Sequence, residues 1–315
     1  MKQVLVTGGC GFIGSHLVRL AATKGAEARI LDNLSSGYER NLPEGFPAER
    51  LFREGVEGLS AGHPALQGVD TVFHLAARPS VPVSIREPIR TFEVNVVGTH
   101  TLLAAAREAG VRRVVFASSS SIYGDRPDLP KHEEQAPRPL SPYAAQKLSA
   151  EQLGMAYARS LGLEVVALRF FNVFGPRQDP GSAYAAAVAA FVAAALEGRP
   201  ATIYGDGEQT RDFTYVGDVV EGCWLASTAP QASGEVINLA RGVQVSVNEL
   251  CQAIFQACGR ADLQPVYEPE RAGDVKHSVA ANAKARELLG WEPRVSLDEG
   301  LRHTIEWARS VRASG

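Results

Sequence analysis

Tyr143 and Lys147, four residues apart in Tyr143-Ala144-Ala145-Gln146-Lys147, are the first pair in this chain whose types and spacing could do chemistry. On a helix they are neighbours on one face. A free phenol titrates near ~10 and is a poor base at neutral pH. An adjacent ammonium would favour the phenolate and make it a usable general base. A second group of hydroxyls comes from Ser118-Ser119-Ser120-Ser121-Ile122-Tyr123-Gly124, directly after the β-branched run Val114-Val115-Phe116. Such serines sit at the carboxyl end of a strand, where parallel α/β sheets bind ligands. Alone, Y-x-x-x-K is a frequent chance pattern whose bland reading is a surface pair. It gains weight from what lies upstream.

Upstream, Thr7-Gly8-Gly9-Cys10-Gly11-Phe12-Ile13-Gly14 follows the strand-like Val4-Leu5-Val6 and opens a helical pattern. Glycines at 8, 11 and 14 give G-x-x-G-x-x-G. Glycine lets the backbone turn tightly and approach a pyrophosphate, and free N–H groups at a helix start supply partial positive charge. Asp32 closes the second strand 18 residues after Gly14, where a carboxylate accepts from ribose hydroxyls. That carboxylate repels a 2′-phosphate, and Asn33-Leu34-Ser35-Ser36 brings no arginine to hold one. NAD is therefore favoured over NADP.

These motifs need elements to position them, and the sequence supplies an alternation. Strand-like runs at Val4–Val6, Ala28–Leu31, Thr71–Phe73, Val114–Phe116 and Val165–Leu168 are separated by helical patterns at Ser15–Lys24 and Ile89–Ala109. That order points to right-handed βαβ units. The fold class is α/β: a doubly wound parallel sheet of Rossmann type with a smaller C-terminal α/β lobe. The third strand is weak, with only Arg50-Leu51-Phe52 strand-like among Pro, Gly and Glu. After Gly175 the alternation stops. An Ala-rich helix over Pro180–Leu196, a Gly205–Gly207 loop, and amphipathic helices near Val247–Ala257 and Leu297–Ala308 follow. Residues 1–171, with a return segment at about 212–238, are expected to bind the cofactor, and residues 172–211 and 239–315 the substrate. With 315 residues there is ample chain for two lobes, and a net charge of −3 argues against a nucleic-acid partner. Four cysteines without paired ligand spacing and seven histidines argue against a disulfide scaffold or a metal site. Nothing reads as a signal peptide or a membrane span, so a cytoplasmic protein is expected.

Together the T-G-G-x-G-F-I-G loop, Asp32-Asn33-Leu34-Ser35-Ser36-Gly37, the serine strand ending in I-Y-G, and Tyr143-x-x-x-Lys147 resemble the extended short-chain dehydrogenase/reductases, specifically the UDP-hexose 4-epimerase family. Leu168-Arg169-Phe170-Phe171-Asn172-Val173-Phe174-Gly175-Pro176, Tyr204-Gly205-Asp206-Gly207-Glu208-Gln209-Thr210-Arg211-Asp212-Phe213 and Arg271-Ala272-Gly273-Asp274 extend the resemblance over nearly the whole chain. It implies cofactor contacts from Gly8, Gly11, Phe12, Ile13, Gly14, Asp32, Asn33, Ser35, Ser36, Gly37, Leu75, Ala76, Ala77, Asn95, Ser118, Tyr143, Lys147 and Phe170. It implies substrate contacts from Ser80, Ser119, Ser120, Tyr143, Asn172, Tyr204, Arg211, Arg271, Asp274 and Ser278. Asn172, Arg211 and Arg271 would hold the diphosphate and Tyr204 would lie against uracil. A homodimer is implied through the helices holding Ile89–Ala109 and Tyr143–Leu161. Two departures stand out. Arg53-Glu54-Gly55-Val56-Glu57-Gly58 lacks the family's usual adenine-binding Asp, so either Glu57 takes over that contact or it is missing. Cys10 replaces an alanine and reads as a small buried thiol.

The resemblance also narrows the reaction. Dehydratases of this kind carry an Asp-Glu pair before the I/V-Y-G, and related decarboxylases keep the Glu; here Ser120 and Ser121 stand there. Hydride transfer from C4 and its return to the other face, 4-epimerisation, is the expected outcome. Tyr143 would be the base, Ser119 a hydrogen-bonding or relay group, and Lys147 the residue that lowers the phenol pKa and holds the nicotinamide ribose. Ser278, where hexose-restricted members carry tyrosine, and Gln178-Asp179-Pro180 imply room for an N-acetyl group. The alternatives are another sugar-nucleotide enzyme, such as a dehydratase or a UDP-glucuronate 4-epimerase, and a non-catalytic nucleotide sensor.

Overall fold

The computed structural model describes residues 2–180, 187–270 and 275–313. Strand β1 (Gln3–Thr7) feeds α1 (Phe12–Thr23), followed by β2 (Glu27–Leu31), the two-residue β3 (Leu51–Phe52) and β4 (Thr71–His74). Next come α2 (Val81–Arg86), α3 (Pro88–Phe92), α4 (Thr99–Glu108), β5 (Arg113–Ser119), α5 (Pro142–Ser160) and β6 (Glu164–Phe170). The chain continues through β7 (Val173–Phe174), α6 (Ala187–Glu197), β8 (Thr202–Tyr204), β9 (Thr210–Asp212), β10 (Thr214–Tyr215) and α7 (Val216–Thr228) before β11 (Val236–Leu239).

Seven of these strands form one parallel sheet in the order β11-β6-β5-β4-β1-β2-β3. This is the doubly wound arrangement that the alternation predicts. Consecutive side chains of β1 serve opposite faces: Val4 and Val6 pack with Leu17, Val18 and Val219 from α1 and α7, and Leu5 packs with Leu102, Leu103 and Met155 from α4 and α5. A strand covered on both faces must be apolar at every position, which is why Val4-Leu5-Val6 reads as an unbroken run. The winding reverses between β1 and β4. At such a switch point a crevice opens at the carboxyl ends of the strands.

A second apolar cluster is built by α6, α8 (Val247–Ala257) and α10 (Leu297–Ala313), which interlock Phe191, Val192, Leu250, Ile254, Leu301 and Ile305. In α8 the stripe Val247, Leu250, Cys251 and Ile254 is buried at helical spacing. Ser246 and Glu249 close a reciprocal capping box at its start, worth about 1 kcal/mol. Two-residue and three-residue ladders join β7 to β10, β9 to β12 (Gln244–Ser246) and β8 to β13 (Val266–Glu268), and α9 (Ala283–Leu289) lies between β13 and α10.

The helix predicted over Ile89–Ala109 is not continuous. Glu93–Gly98 is a π-helical segment between α3 and α4. There Asn95 turns inward, its side chain accepting from Arg78 N–H at 2.8 Å and donating to Gln146 Oε1 at 2.9 Å. Gly98 lies so close to Val56 that a Cβ would stand 2.7 Å from Val56 Cγ2. π-bulges of this kind frequently mark functional sites. The predicted Ala-rich helix is present as α6, and its first part at 181–186 lies outside the described residues. No helix among the described residues is long and apolar enough to cross a membrane.

Candidate active site

The crevice between β1 and β4 widens into a cavity of about 610 Å³. One wall is the glycine loop. Gly8 has φ +70°, and a Cβ there would stand 2.9 Å from Ala76 N; at Gly14 a Cβ would come within 2.1 Å of the Gly8 carbonyl oxygen. No side chain caps α1, so the first-turn N–H groups at Phe12, Ile13 and Gly14, all cavity-lining, remain for a ligand's oxygens. Asp32 ends the wall. Its Oδ2 accepts from Cys10 N–H and its Oδ1 from Leu34 N–H, each at 2.9 Å. Burial raises this carboxyl's pKa and the two N–H groups lower it. Each oxygen keeps lone-pair capacity for ribose hydroxyls, so the wall fits a dinucleotide without a 2′-phosphate. Asn33, Ser35, Ser36, Gly37, Leu75, Ala76, Ala77 and Phe170 line the same cavity. Cys10 is the buried thiol expected, with burial pushing its pKa up to about 12.

Val56 and Glu57 also line it. A Cβ on Gly55 would meet Glu57 Oε2 at 2.1 Å, so the Glu57 carboxylate fills the space that a side chain at 55 would have used.

Ser119, Tyr143 and Lys147 meet at the cavity's centre. Helix α5 is started by Ser141, whose hydroxyl accepts from Ala144 N–H, with Pro142 in the first turn. Its first residues are tied to α2, where Tyr143 N–H donates to Ser84 Oγ at 3.0 Å. Deeper down, Glu151 accepts from Arg169 of β6 at 3.0 and 2.7 Å and from Ser118 Oγ at 2.6 Å, all buried. Arg169 also donates to Tyr123 Oη at 2.7 Å, and Tyr123 donates to Asn238 on β11. The helix is therefore fixed against the strand that carries Ser119. Burial pushes the Tyr143 phenol up to about 12, and a hydrogen bond with Ser119 pulls it down. Lys147 Nζ donates to Ala117 O at 2.9 Å, and burial lowers its pKa to about 8. At Tyr143 desolvation is the largest influence, and the hydrogen bond with Ser119 is the one that opposes it. Ser118 lines the cavity, but its hydroxyl is spent on Glu151.

On the substrate side Ser120, Asn172, Arg211 and Ser278 line the cavity. Asn172 Nδ2 donates to Asp212 O at 3.4 Å, and Arg211 Nη1 donates to Thr210 O and Lys276 O. Asp212 binds this region together, accepting from Arg241, Gly242 and Ala280 N–H groups. Three expected residues are not brought to the wall. Asn95 is buried behind it, holding Arg78 and Gln146. Ser80 caps α2 by accepting from Val83 N–H. Tyr204 is held on β8, in register with Glu268 of β13. Arg271 and Asp274 lie outside the described residues. Sequence reasoning missed Arg78, Val81, Val94 and Lys131, which also line the cavity. The switch point signals only that the loop after β4 is near a ligand, not which of its side chains face it.

Comparison with known proteins agrees with this geometry. The model of the NAD dependent epimerase/dehydratase family matches residues 4–240. A UDP-glucose 4-epimerase of Mycolicibacterium smegmatis is 41% identical over 98% of this chain and 99% of its own length. The solved structure of Thermotoga maritima UDP-glucose 4-epimerase with UDP-glucose superposes with a TM-score of 0.93 at 40% identity, covering 98% of this chain and 99% of that one. The UDP-N-acetylglucosamine 4-epimerase of Methanobrevibacter ruminantium, bound to UDP-N-acetylmuramic acid, gives 0.92 at 40% identity over the same shares. With a dinucleotide cradle at the switch point, a Ser/Tyr/Lys centre and a family match over most of its length, this chain belongs to the NAD dependent epimerase/dehydratase family.

Proposed function

We propose that the protein is an NAD-dependent 4-epimerase of UDP-hexoses that works through a transient 4-keto sugar. The observation that carries this reading is the pair Ser120 and Ser121: both line the cavity beside Ser119 and Tyr143, and neither offers a carboxylate for elimination or decarboxylation. When bound, NAD⁺ supplies a hydride acceptor for sugar C4 and one positive charge beside the phenol. Gly8 to Gly14 and Asp32 hold the dinucleotide, and Glu57 meets its adenine end. Tyr143 takes the 4-hydroxyl proton and returns it after the keto sugar has turned over. Burial alone holds the phenol up at about 12, so to take that proton Tyr143 must first be the phenolate, which the positive charge of bound NAD⁺ and the hydrogen bond from Ser119 would favour. Lys147 is fixed by Ala117 O and keeps N–H donors for the nicotinamide ribose. Asn172, Arg211 and Arg271 hold the diphosphate, and Ser278 leaves room for an acetamido group. Both the UDP-glucose/UDP-galactose and the UDP-N-acetylglucosamine/UDP-N-acetylgalactosamine pairs are substrates on this reading. Residues 1–171 with about 212–238 serve the cofactor, and 172–211 with 239–315 serve the sugar nucleotide.

A homodimer is part of the proposal. Ile89, Phe92 and Val97 are exposed at 75%, 46% and 46%, an apolar face beside the start of α5 that suits a second copy. Four buried cysteines, none disulfide-bonded, suit a reducing cytoplasm. The test is product analysis with each pure UDP-sugar and no added cofactor. Interconversion at C4, with NAD released only on denaturation, is expected. A dehydrated or decarboxylated product, or a strict need for a stoichiometric redox partner, would overturn the reading.

A further inference from the structure

A short strap, Gly175-Pro176-Arg177-Gln178-Asp179, follows β7 and runs past the cavity, with Gln178 on the wall. It is pinned at both ends to the elements that cradle the dinucleotide. At the inner end His16 of α1 bonds through Nε2 to Pro176 O at 2.8 Å. Burial holds that ring neutral, pulling its pKa down to about 4, so Nε2 carries the proton and donates. At the outer end Tyr38 Oη donates to Asp179 Oδ2 at 2.8 Å. Tyr38 follows Gly37, itself packed on the glycine loop so closely that a Cβ would stand 2.8 Å from Cys10 C. Between the pins Arg177 has φ +70°, a left-handed conformation disfavoured for any residue but glycine. The inner pin is mostly buried, whereas Tyr38 is 38% exposed. The strap therefore has a fixed end and a weaker, water-accessible end.

We propose that Tyr38 and Asp179 are positioning residues whose bond latches this strap across the phosphate and ribose sites, so that its opening limits the escape of bound dinucleotide. The proposal rests on the NAD-dependent reading above. An enzyme that regenerates its cofactor within each cycle must exchange the sugar nucleotide every turnover while keeping the dinucleotide. A strap tied to both α1 and the loop after Gly37 is placed to hold the dinucleotide while the sugar nucleotide exchanges.

The test follows bound NAD in purified holoenzyme diluted over charcoal, quantified by chromatography of acid extracts against time. Tyr38→Phe and Asp179→Ala are each expected to release NAD roughly five- to tenfold faster than wild type, the effect of one partly exposed hydrogen bond. The double variant should be no faster than either single one. Asp179→Asn, which keeps an acceptor, should restore slow release. Melting temperature should not move. Release at the wild-type rate in both single variants, or multiplied effects in the double variant, would overturn the latch. Wild-type protein that carries no NAD at all would instead overturn the cofactor reading beneath it.

Discussion

At the scale of single residues, Tyr143 is asked to be both acid and base, and its surroundings favour the acid. Burial wins over the Ser119 hydrogen bond, leaving the phenol protonated. Tyr143→Phe removes the hydroxyl, and with it the transferable proton and the bond to Ser119, from a half-buried ring. Turnover should fall by ~10² to 10⁴ with NAD content and folding nearly intact, read by steady-state kinetics beside NAD extraction. Near-normal kcat would move the role to Ser119 or to water. Ser278 argues the same way about size. It is buried at 9% exposure with its N–H bound to Thr210 O, so a tyrosine there must project into the cavity that it lines. Ser278→Tyr should abolish N-acetylhexosamine turnover and spare the plain hexose, because a clash rejects the larger substrate more strongly than a lost contact penalises the smaller. Equal losses on both substrate pairs would refute the gate.

At the scale of elements, α5 is held by a buried ion pair as well as by apolar packing. Glu151 and Arg169 are exposed by 0% and 3% and bond twice. Removing one partner strands the other charge in the interior, at a cost of about 3–5 kcal/mol. Glu151→Gln should lower the denaturation midpoint accordingly, and a double change to Leu at 151 and Met at 169 should recover part of the loss. An unchanged midpoint in the single variant would show that the pair anchors nothing. The strands of the sheet were legible because both faces are covered, which forces unbroken apolar runs such as Val165 to Leu168. The π-helical break was not, since Phe92, Val96, Thr99, Leu102 and Ala106 keep near-helical spacing across it. Gly98 and Asn95 betray it only once Val56 and Arg78 are known to lie opposite. The position of Tyr204 was not legible for a related reason: its pairing with Glu268 is set by a three-residue ladder between distant segments. The clustering of the proposed catalytic set in one cavity was legible because Tyr143 and Lys147 lie about one helical turn apart and Ser119 ends a strand. That the Glu57 carboxylate lies against Gly55 depends on backbone geometry, which the sequence alone does not reveal.

For the whole molecule, two buried histidines give acid stability a defined shape. His74 sits between Thr7 and Thr99 and is pulled down to about 3, and His16 to about 4, in both cases by burial first. The ordinary value is about 6.5. Above it both folded and unfolded chains are neutral at these sites. Below it the unfolded chain binds protons that the folded chain refuses, so stability falls with decreasing pH, by up to about 1.4 kcal/mol per unit for each group. Asp212, raised to about 6 by burial, works in the opposite direction below that pH. The clean measurement is therefore a difference. His74→Gln should be less stable than wild type at pH 7, and the gap should narrow as the pH is lowered from 6.5 to 4.5 in urea titrations. A constant gap would mean that the ring is protonated in the fold. The seventh strand carries a consequence for how the protein is made. β11 pairs with β6 from the far side of a long excursion, so a ribosome exposes the hydrogen-bonding edge of β6 until residue 239 has left the exit tunnel. During that interval the nascent sheet is an open template for a stray strand. A gene divided after residue 171 would make that interval permanent.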